Sequence, residues 1–444
     1  MSDTPLYDFL KTYRASEISR FHMPGHKGAF PPLLQEDLCS LDITEIQGAD
    51  SLFECSGILR EAERNAEKLY HSVRTLYSAG GSTLCIQTML SLVRPRGKKI
   101  ILARNSHKAA INAMALLGLE PVWLHPQKLD DSVFPGIITP KQVRNALQRH
   151  PDAAAVYLTS PDYFGILCDI RGIKAECEHL GVPLLVDNAH GAHLCVCDGK
   201  HPIRQGADLC CDSAHKTLPA LTGAALLHIN NPELLAGAKE TMSLFGSTSP
   251  SYLIMLSTEL AIRWLSTEGK TAFEQLRNRV SRIEDLFVQR GFATPSAYLR
   301  DDTRIVLDTL HGGYYGEEFA VRLRNAGMEP EFISQGAVVL LTSPFNREED
   351  FHKLEAFAAC LPKRQPIFNP VADFSAPVQV MSIRQAVLSS YELIPLEQAE
   401  GRTCADARIS CPPGVPVVMP GEVIDKKSKN ILKMYGINNI KVVK

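Results

Sequence analysis

A lysine at position 216 lies between two apolar segments, and its surroundings give the first indication of chemistry. The preceding segment, Ala207 to Cys211, and the following one, Leu221 to Leu227, both have the composition of buried strands. Burial disfavours the charged form of a lysine, lowers its pKa and makes its amine a nucleophile. The commonest use of such an amine is a Schiff base with pyridoxal phosphate (PLP). An ordinary strand-edge lysine whose stem reaches water explains this segment alone equally well.

Three further segments could complete a PLP site. Asp187 follows the apolar run Pro183 to Val186 and could keep the pyridine nitrogen protonated, although Asp is also a common turn residue at strand ends. Gly81-Ser82-Thr83 precedes a helical pattern and could bind a phosphate through free N–H groups and the helix dipole, unless it is simply a capped helix start. His107 could stack on a ring or cap a helix. Their shared position after strand-like runs favours a single site.

The elements that must position these residues alternate regularly between about 98 and 230. Apolar strand-like runs there are separated by helical patterns, which predicts a mostly parallel sheet with helices on its faces. A second alternation begins at Arg304 and predicts a smaller α/β domain. We therefore expect an N-terminal arm over 1-45, a PLP-binding large domain over 46-300 and a C-terminal small domain over 301-444. The arm contains Phe21-His22-Met23-Pro24-Gly25-His26-Lys27-Gly28, which is either a tight surface turn or an arm over an anionic site.

Composition narrows the class of protein. The 444 residues are 45% hydrophobic and 22% charged, as in ordinary globular enzymes, and their length predicts two or three domains. The net charge of -2 predicts neither a nucleic-acid partner nor an anionic membrane. Because there is no apolar run of about 20 residues and no signal-peptide pattern, a cytoplasmic location is expected. The twelve scattered cysteines predict buried free thiols rather than disulfides or a zinc site, and no metal ligands are proposed.

Taken together, these motifs resemble the ornithine/lysine/arginine decarboxylase family in its short form, within PLP fold type I. The resemblance covers nearly the whole chain. It is carried by Phe21 to Gly28, Asp42-Ile43-Thr44-Glu45, Gly81-Ser82-Thr83, Arg104-Asn105-Ser106-His107-Lys108, Thr159-Ser160-Pro161, Asp187-Asn188-Ala189-His190-Gly191, Ser213-Ala214-His215-Lys216-Thr217, Ser247-Thr248-Ser249-Pro250-Ser251-Tyr252, Leu396 to Arg402, Pro412-Pro413-Gly414-Val415-Pro416 and Pro420-Gly421-Glu422.

The resemblance implies an aspartate aminotransferase-like large domain with a smaller C-terminal α/β domain. It implies α-decarboxylation of lysine, ornithine or arginine to a polyamine-type amine, through a Schiff base on Lys216 and a quinonoid. Asp187 would pair with the pyridine nitrogen, His107 would stack on the ring, and Lys216 or His215 would return a proton to Cα. The expected PLP-binding set is Gly81, Ser82, Thr83, His107, Asp187, Ala189, His190, Ser213, His215 and Lys216, with Ala189 on the ring face opposite His107.

The resemblance also implies a homodimer with a shared active site. Thr248 and Ser249 would reach the phosphate that is bound by the neighbouring subunit.

Three segments depart from the family pattern where the family's substrate cavity lies. These are Asp50 to Gly57, Asp162 in place of a more usual Thr, and Cys411 in place of an aromatic residue. The sequence therefore does not rank lysine, ornithine and arginine as substrates. Another fold type I lyase or aminotransferase, and an inactive PLP-binding regulatory homologue, remain as alternatives.

Overall fold

The computed structural model describes residues 4–129, 133–368, 377–407 and 415–444. The motif residues Cys411 to Gly414 lie outside the described residues. The strands are β1 (Ser19–Phe21), β2 (Arg74–Ser78), β3 (Lys99–Ala103), β4 (Glu120–Leu124), β5 (Ala155–Thr159), β6 (Leu184–Asp187), β7 (Leu209–Asp212), β8 (Ala225–Ile229), β9 (Arg304–Asp308), β10 (Met328–Pro330), β11 (Phe332–Ile333), β12 (Ala337–Leu341), β13 (Tyr391–Pro395) and β14 (Asn439–Val443). The α-helices are α1 (Pro5–Ala15), α2 (Pro31–Leu34), α3 (Leu38–Leu41), α4 (Ile58–Tyr70), α5 (Gly81–Val93), α6 (Lys108–Leu117), α7 (Pro140–Arg149), α8 (Ile170–Glu178), α9 (Ala214–Thr217), α10 (Ala238–Ser243), α11 (Tyr252–Trp264), α12 (Lys270–Gln289), α13 (Gly316–Asn325), α14 (Glu348–Cys360), α15 (Ile383–Leu388) and α16 (Lys426–Met434).

A seven-stranded sheet forms the centre of the large domain. Its strand order is β2-β8-β7-β6-β5-β3-β4, and β8 runs antiparallel to both of its neighbours while the other pairs are parallel. Side chains along β3 and β5 alternate between two separate apolar clusters, one on each face of the sheet. Helices cover both faces, so the interior strands are buried throughout. The predicted mostly parallel sheet is confirmed.

The register of the parallel strands brings their carboxyl ends to one edge of the sheet. Thr159 at the end of β5 pairs with Asp187 at the end of β6, which in turn pairs with Cys211 near the end of β7. Residues that follow these strands therefore meet above the same edge. This is the edge on which the predicted site residues converge.

Two smaller units follow the large domain. The first is a three-stranded antiparallel sheet, β11-β12-β9, which α12 and α13 contact, with α14 packed on α12. The N-terminal strand β1 pairs in parallel with β10 of this region, so the arm is tied to residues more than 300 positions later. The second unit, the C-terminal unit, comprises residues 377–407 and 415–444, with the β13-β14 pair, α16 and an apolar cluster of its own. None of the described helices is long and apolar enough to cross a membrane.

Candidate active site

Lys216 lies on α9, a single turn of helix between β7 and β8. Its Nζ is 3.0 Å from Nε2 of His190 and 5.9 Å from the centre of the Tyr163 ring. Burial lowers the pKa of Lys216, although the carboxylate of Asp187 opposes this shift. Burial also lowers the pKa of His190 well below its usual value, and the Lys216 charge adds to this effect. The imidazole therefore stays neutral and can accept a hydrogen bond from the lysine amine.

Asp187, at the end of β6, is held by donors from both neighbouring strands. Its Oδ2 accepts from the Tyr157 hydroxyl at 3.3 Å, and its Oδ1 accepts from the Ala189 N–H at 3.1 Å and the Cys211 thiol at 3.6 Å. Burial raises the pKa of both Tyr157 and Cys211 well above their usual values, so both keep the protons they donate. These contacts fix the buried Asp187 side chain in one orientation.

One of the two roles suggested for His107, capping a helix, is confirmed, whereas stacking on a ring stays a prediction. His107 is the N-cap of α6, where Nδ1 accepts from the Ala109 N–H at 3.2 Å, and its side chain also lines the cavity that contains Lys216. Burial lowers the pKa of His107, so the ring is neutral near pH 7. A capped, neutral imidazole forms a rigid wall for a planar ligand. Ala189 lines the same cavity.

The predicted phosphate-binding segment is joined to the turn that carries Lys216. Helix α5 starts at Gly81, which has the left-handed φ of +67° and no side-chain cap. The Gly81 N–H donates to the Gly223 carbonyl at 2.8 Å. The next carbonyl, of Ala224, accepts from His215 through its backbone N–H at 3.3 Å and its Nδ1 at 2.9 Å. The uncapped helix start and the lysine turn therefore lie on either side of the same short loop.

The cavity around Lys216 has a volume of about 330 Å³, within the range of small-molecule sites. Several buried polar atoms near it have no hydrogen-bond partner among the residues that the structure describes: Ser213 Oγ, Thr159 Oγ1, Asn105 Oδ1 and His190 Nδ1. Buried polar groups are normally paired, so these atoms indicate a missing polar ligand. A phosphate at the uncapped start of α5 and a heteroaromatic ring between His107 and Ala189 would fit this set. The residues present therefore fit PLP.

The predicted residues fall into three groups. Those that line the cavity are Ser82, His107, Asp187, Ala189, His190 and Lys216. Gly81 and His215 lie next to it through the contacts above, and Ser213 through its carbonyl, which accepts from the Lys216 N–H at 3.1 Å, whereas Thr83 is exposed near the start of α5. Thr248 and Ser249 are exposed in the turn before α11. A single chain does not bring these last two into the described wall of the cavity.

Arg104 and Glu422 form a buried ion pair that the sequence patterns did not predict. Arg104 Nη1 and Nη2 lie 2.7 Å from the two carboxylate oxygens of Glu422, and both side chains are at most 1% exposed. Arg104 also donates to the carbonyl of Pro416 at 3.0 Å and of Val417 at 3.2 Å. Because Pro416, Val418 and Met419 line the cavity, this pair fixes part of the cavity wall to the large domain.

The N-terminal arm packs against the lysine turn, the segment Ala214–Thr217 that carries Lys216. Gly25 N–H donates to the His215 carbonyl at 2.9 Å, and a Cβ at Gly25 would lie 2.5 Å from the Leu218 carbonyl oxygen. Lys27 is buried, and its Nζ donates to the carbonyl of His22 at 2.5 Å and of Leu341 at 2.8 Å. Burial lowers the pKa of Lys27 to about 7. The arm therefore lies in the protein interior and contacts both the lysine turn and β12.

A buried polar cluster lies at the end of β7, directly before Ser213. Asp212 Oδ2 accepts from His201 Nε2 at 3.0 Å and from His228 Nε2 at 3.1 Å, and Oδ1 accepts from Asn188 at 2.6 Å. The two histidines hold the pKa of Asp212 well below its usual value despite burial. This cluster fixes the segment that leads into the lysine turn.

Comparison with known proteins agrees with this geometry. The model of "Orn/Lys/Arg decarboxylase, major domain" matches residues 4–294, and that of "Orn/Lys/Arg decarboxylase, C-terminal domain" matches residues 373–438. The arginine decarboxylase of Bacillus anthracis is 30% identical over 97% of this chain and 92% of its own length. The arginine decarboxylase of Bacillus subtilis (strain 168) is 29% identical over 96% and 92%, respectively.

The fold comparison gives the same architecture. The structure of the Escherichia coli constitutive lysine decarboxylase superposes with a TM-score of 0.73 at 19% identity, covering 99% of this chain and 82% of that one. The expected PLP fold type I large domain with a smaller C-terminal domain is thus confirmed. The chain belongs to the Orn/Lys/Arg decarboxylase family of PLP-dependent amino acid decarboxylases.

Proposed function

We propose that this chain binds PLP at Lys216 and removes the α-carboxylate of a basic amino acid. The observation that carries the proposal is the half-buried Lys216, whose amine lies 3.0 Å from a neutral His190 in a cavity that Asp187 also lines. Bound PLP supplies an electron sink for the pair of electrons left on Cα when CO₂ departs. The Asp187 side chain, which three donors hold in place, would pair with the pyridine nitrogen.

Lys216 can act as nucleophile and proton carrier. Its lowered pKa raises the fraction of free amine near neutral pH, and the contact with His190 orients that amine. His215 is the less suitable proton donor. Its Nδ1 contacts the Ala224 carbonyl and must carry the proton of a neutral ring, which leaves Nε2 without one, and burial lowers its pKa. Lys216 is thus the group that returns a proton to Cα.

The cavity wall favours loss of the carboxylate over transamination. Aminotransferases on related folds grip the carboxylate with an arginine, and no arginine is among the described residues that line this cavity. The C-terminal unit contributes Ala407, Pro416, Val418 and Met419, which form an apolar wall that excludes water. Among basic amino acids, arginine is the first to test, since the two Bacillus relatives described above, 29% and 30% identical, are named arginine decarboxylases.

A homodimer would complete the phosphate site. Thr248 and Ser249 are exposed in a Gly-Ser-Thr-Ser-Pro turn, which presents hydroxyl and N–H groups suited to an anion. We place these groups at the phosphate of the partner subunit. A reducing compartment such as the cytoplasm suits the cysteines, because the eleven that the structure describes are free thiols and all but Cys39 and Cys360 are buried.

The test is product analysis with the purified holoenzyme. Arginine, lysine and ornithine are supplied separately, and CO₂ and the corresponding amines are measured. Borohydride treatment followed by peptide mapping should place the reduced cofactor on Lys216, and the Lys216→Ala variant should release no CO₂. Keto-acid products, no CO₂ from any of the three amino acids, or label on another lysine would each contradict the proposal.

A further inference from the structure

Arg304 is a fully buried arginine that joins two loops beside the cavity. It begins β9 of the three-stranded sheet, but its guanidinium reaches the large-domain loops that follow β5 and β6. Its Nη2 donates to the His190 carbonyl at 2.8 Å. Its Nη1 donates more weakly to the carbonyls of Tyr163 at 3.4 Å and Asp162 at 3.5 Å. Because these three residues line the cavity, one side chain from another sheet holds two parts of its wall together.

Asp301 fixes the direction in which the Arg304 side chain points. Arg304 Nε donates to Asp301 Oδ2 at 3.1 Å, and both side chains are fully buried. The other oxygen, Oδ1, accepts from the Thr303 backbone N–H at 3.0 Å and hydroxyl at 2.8 Å, and it lies 3.1 Å from His193 Nε2. Despite burial, His193 and Arg304 hold the pKa of Asp301 well below its usual range. The ion pair is therefore charged at neutral pH and fixed at both ends.

The loop after β5 is shaped to receive this guanidinium. Gly165 has the left-handed φ of +76°, and a Cβ there would lie 2.9 Å from Cδ of Arg304. A side chain at this position would strain the backbone and collide with the arginine stem. The Gly165 carbonyl also accepts from the Asp301 backbone N–H at 2.8 Å. Both members of the ion pair thus contact the loop that carries Tyr163.

The two joined loops carry aromatic side chains that adjoin the Lys216 amine. His190 Nε2 is 3.0 Å from the Lys216 Nζ, and the Tyr163 ring centre is 5.9 Å from it. The two rings also contact each other, with their centres 4.6 Å apart. Burial, the Lys216 charge and the Arg304 charge all lower the pKa of His190. A neutral His190 can accept a hydrogen bond from the amine and so orient it.

We propose that Arg304 is a positioning residue for the Lys216 amine, because it holds His190 and Tyr163 where they direct that amine towards the aldehyde of PLP. This inference rests on the function proposed above. When the bond forms, the Lys216 nitrogen joins the aldehyde carbon, and the two protons of the neutral amine leave with the aldehyde oxygen as water. Arg304 acts on this step through the two loops.

The experiment compares Arg304→Met with the unaltered full chain, each freed of PLP, using two ligands. The first is PLP, whose bond to Lys216 is followed by visible absorbance after rapid mixing and located by borohydride reduction and peptide mapping. The second is pyridoxine phosphate, which has an alcohol in place of the aldehyde and so cannot bond to the amine. Arg304→Met should slow bond formation about 10- to 100-fold, since a displacement of about 1 Å can cost this much, and should change the dissociation constant of pyridoxine phosphate less than about threefold.

Two further variants separate positioning from stability. Arg300→Met breaks the comparable ion pair with Glu284, whose side chains are 19% and 6% exposed, and neither residue lines the described part of the cavity. It should change neither measurement. Asp301→Asn combined with Arg304→Met removes both buried charges, so it carries the test if the single variant does not fold. Because the contacts to the loop carbonyls are still lost, it should slow bond formation as much as Arg304→Met does.

Three results would overturn the inference. They are a bond-forming rate in Arg304→Met within about threefold of the unaltered chain, an equal loss in affinity for pyridoxine phosphate, and recovery of the rate in the double variant. Slowing of the same size in Arg300→Met would also overturn it. If PLP does not label Lys216 in the unaltered chain, the proposed function fails together with this inference, whereas the other results leave that function intact.

Discussion

Replacing Glu422 by Gln should loosen the C-terminal unit from the large domain. The variant keeps the size of the side chain but removes the carboxylate charge that faces the Arg104 guanidinium, which is 0% exposed. The two Glu422 oxygens each accept a charge-assisted hydrogen bond from Arg104 at 2.7 Å, and the variant replaces one of these oxygens by an NH₂ group that cannot accept a hydrogen bond. Removing one partner of a buried ion pair typically costs about 3–5 kcal/mol. That corresponds to roughly a 10²- to 10⁴-fold increase in local opening, since about 1.4 kcal/mol is tenfold.

Amide hydrogen exchange measures this opening where the pair acts. The amides of Cys404 and Gly421 hydrogen-bond within the segment that Glu422 anchors, so their protection should fall by that factor. Amides of β6 should be unaffected. Glu397→Gln is the matched control, because the ion pair that it removes is at the surface: the Glu397 side chain is 62% exposed and that of its partner Lys433 is 68% exposed. This variant should change amide protection less than about fivefold.

Two results would refute this reasoning. One is a loss of protection below tenfold at Cys404 and Gly421 in Glu422→Gln. The other is an equal loss in β6, which would mean that the whole protein and not this unit is destabilised. Arg104→Met combined with Glu422→Leu removes both charges together and should recover most of the protection, since apolar pairs replace buried ion pairs at little cost.

Three further predictions concern the cavity. Asp187→Asn should retain PLP by absorbance but lose about 10²-fold or more in turnover, because an amide cannot stabilise a protonated pyridine; near-normal turnover would leave Asp187 as a strand-end residue only. Asp162→Asn should stabilise the protein increasingly between pH 4 and 7, because the unfolded carboxyl ionises near 3.8 and the folded one near 7, a difference worth at most about 4 kcal/mol. Urea unfolding at pH 4.5 and 8 tests this, and an equal effect at both pH values would contradict it. Mixing Thr248→Ala, Ser249→Ala chains with Lys216→Ala chains should restore activity if the turn is donated across a dimer; no recovery despite chain exchange would place the turn outside the partner's site.

The large-domain sheet was predictable because its strands are short apolar runs at regular intervals. The apolar run Pro183 to Val186 is shifted by one residue from the bounds of β6. The strand predicted before Lys216, Ala207 to Cys211, begins two residues before β7 begins and ends one residue before β7 ends. The residue types of Asp187, His107 and Lys216 and their positions after strands were sufficient to predict that the three lie at one site, and all three line the same cavity.

The remaining features depend on pairings that a linear pattern does not contain. Arg104 and Glu422 are 318 positions apart, and neither has a local signal for burial. The short strand β1 exists because β10 offers it a parallel edge. Strand β13 went unpredicted because its apolar residues do not mark a buried face: Tyr391 is 50% exposed and Leu393 62% exposed. His190 was predicted as a cofactor residue, but its contact with Lys216 follows only from the fold.

The strand order of the central sheet also bears on synthesis at the ribosome. Strand β2 pairs only with β8 in the described sheet, and the Gly81 amide just after it docks on Gly223. Roughly 150 residues separate β2 from β8, which at about 5–20 residues per second takes the ribosome on the order of 10–30 s. During that time β2 has no strand to pair with, whereas α5 can already pack on α6, β3 and β5. A chaperone that protects nascent chains should therefore bind residues 74–78 until β8 emerges, and release them as the lysine turn forms.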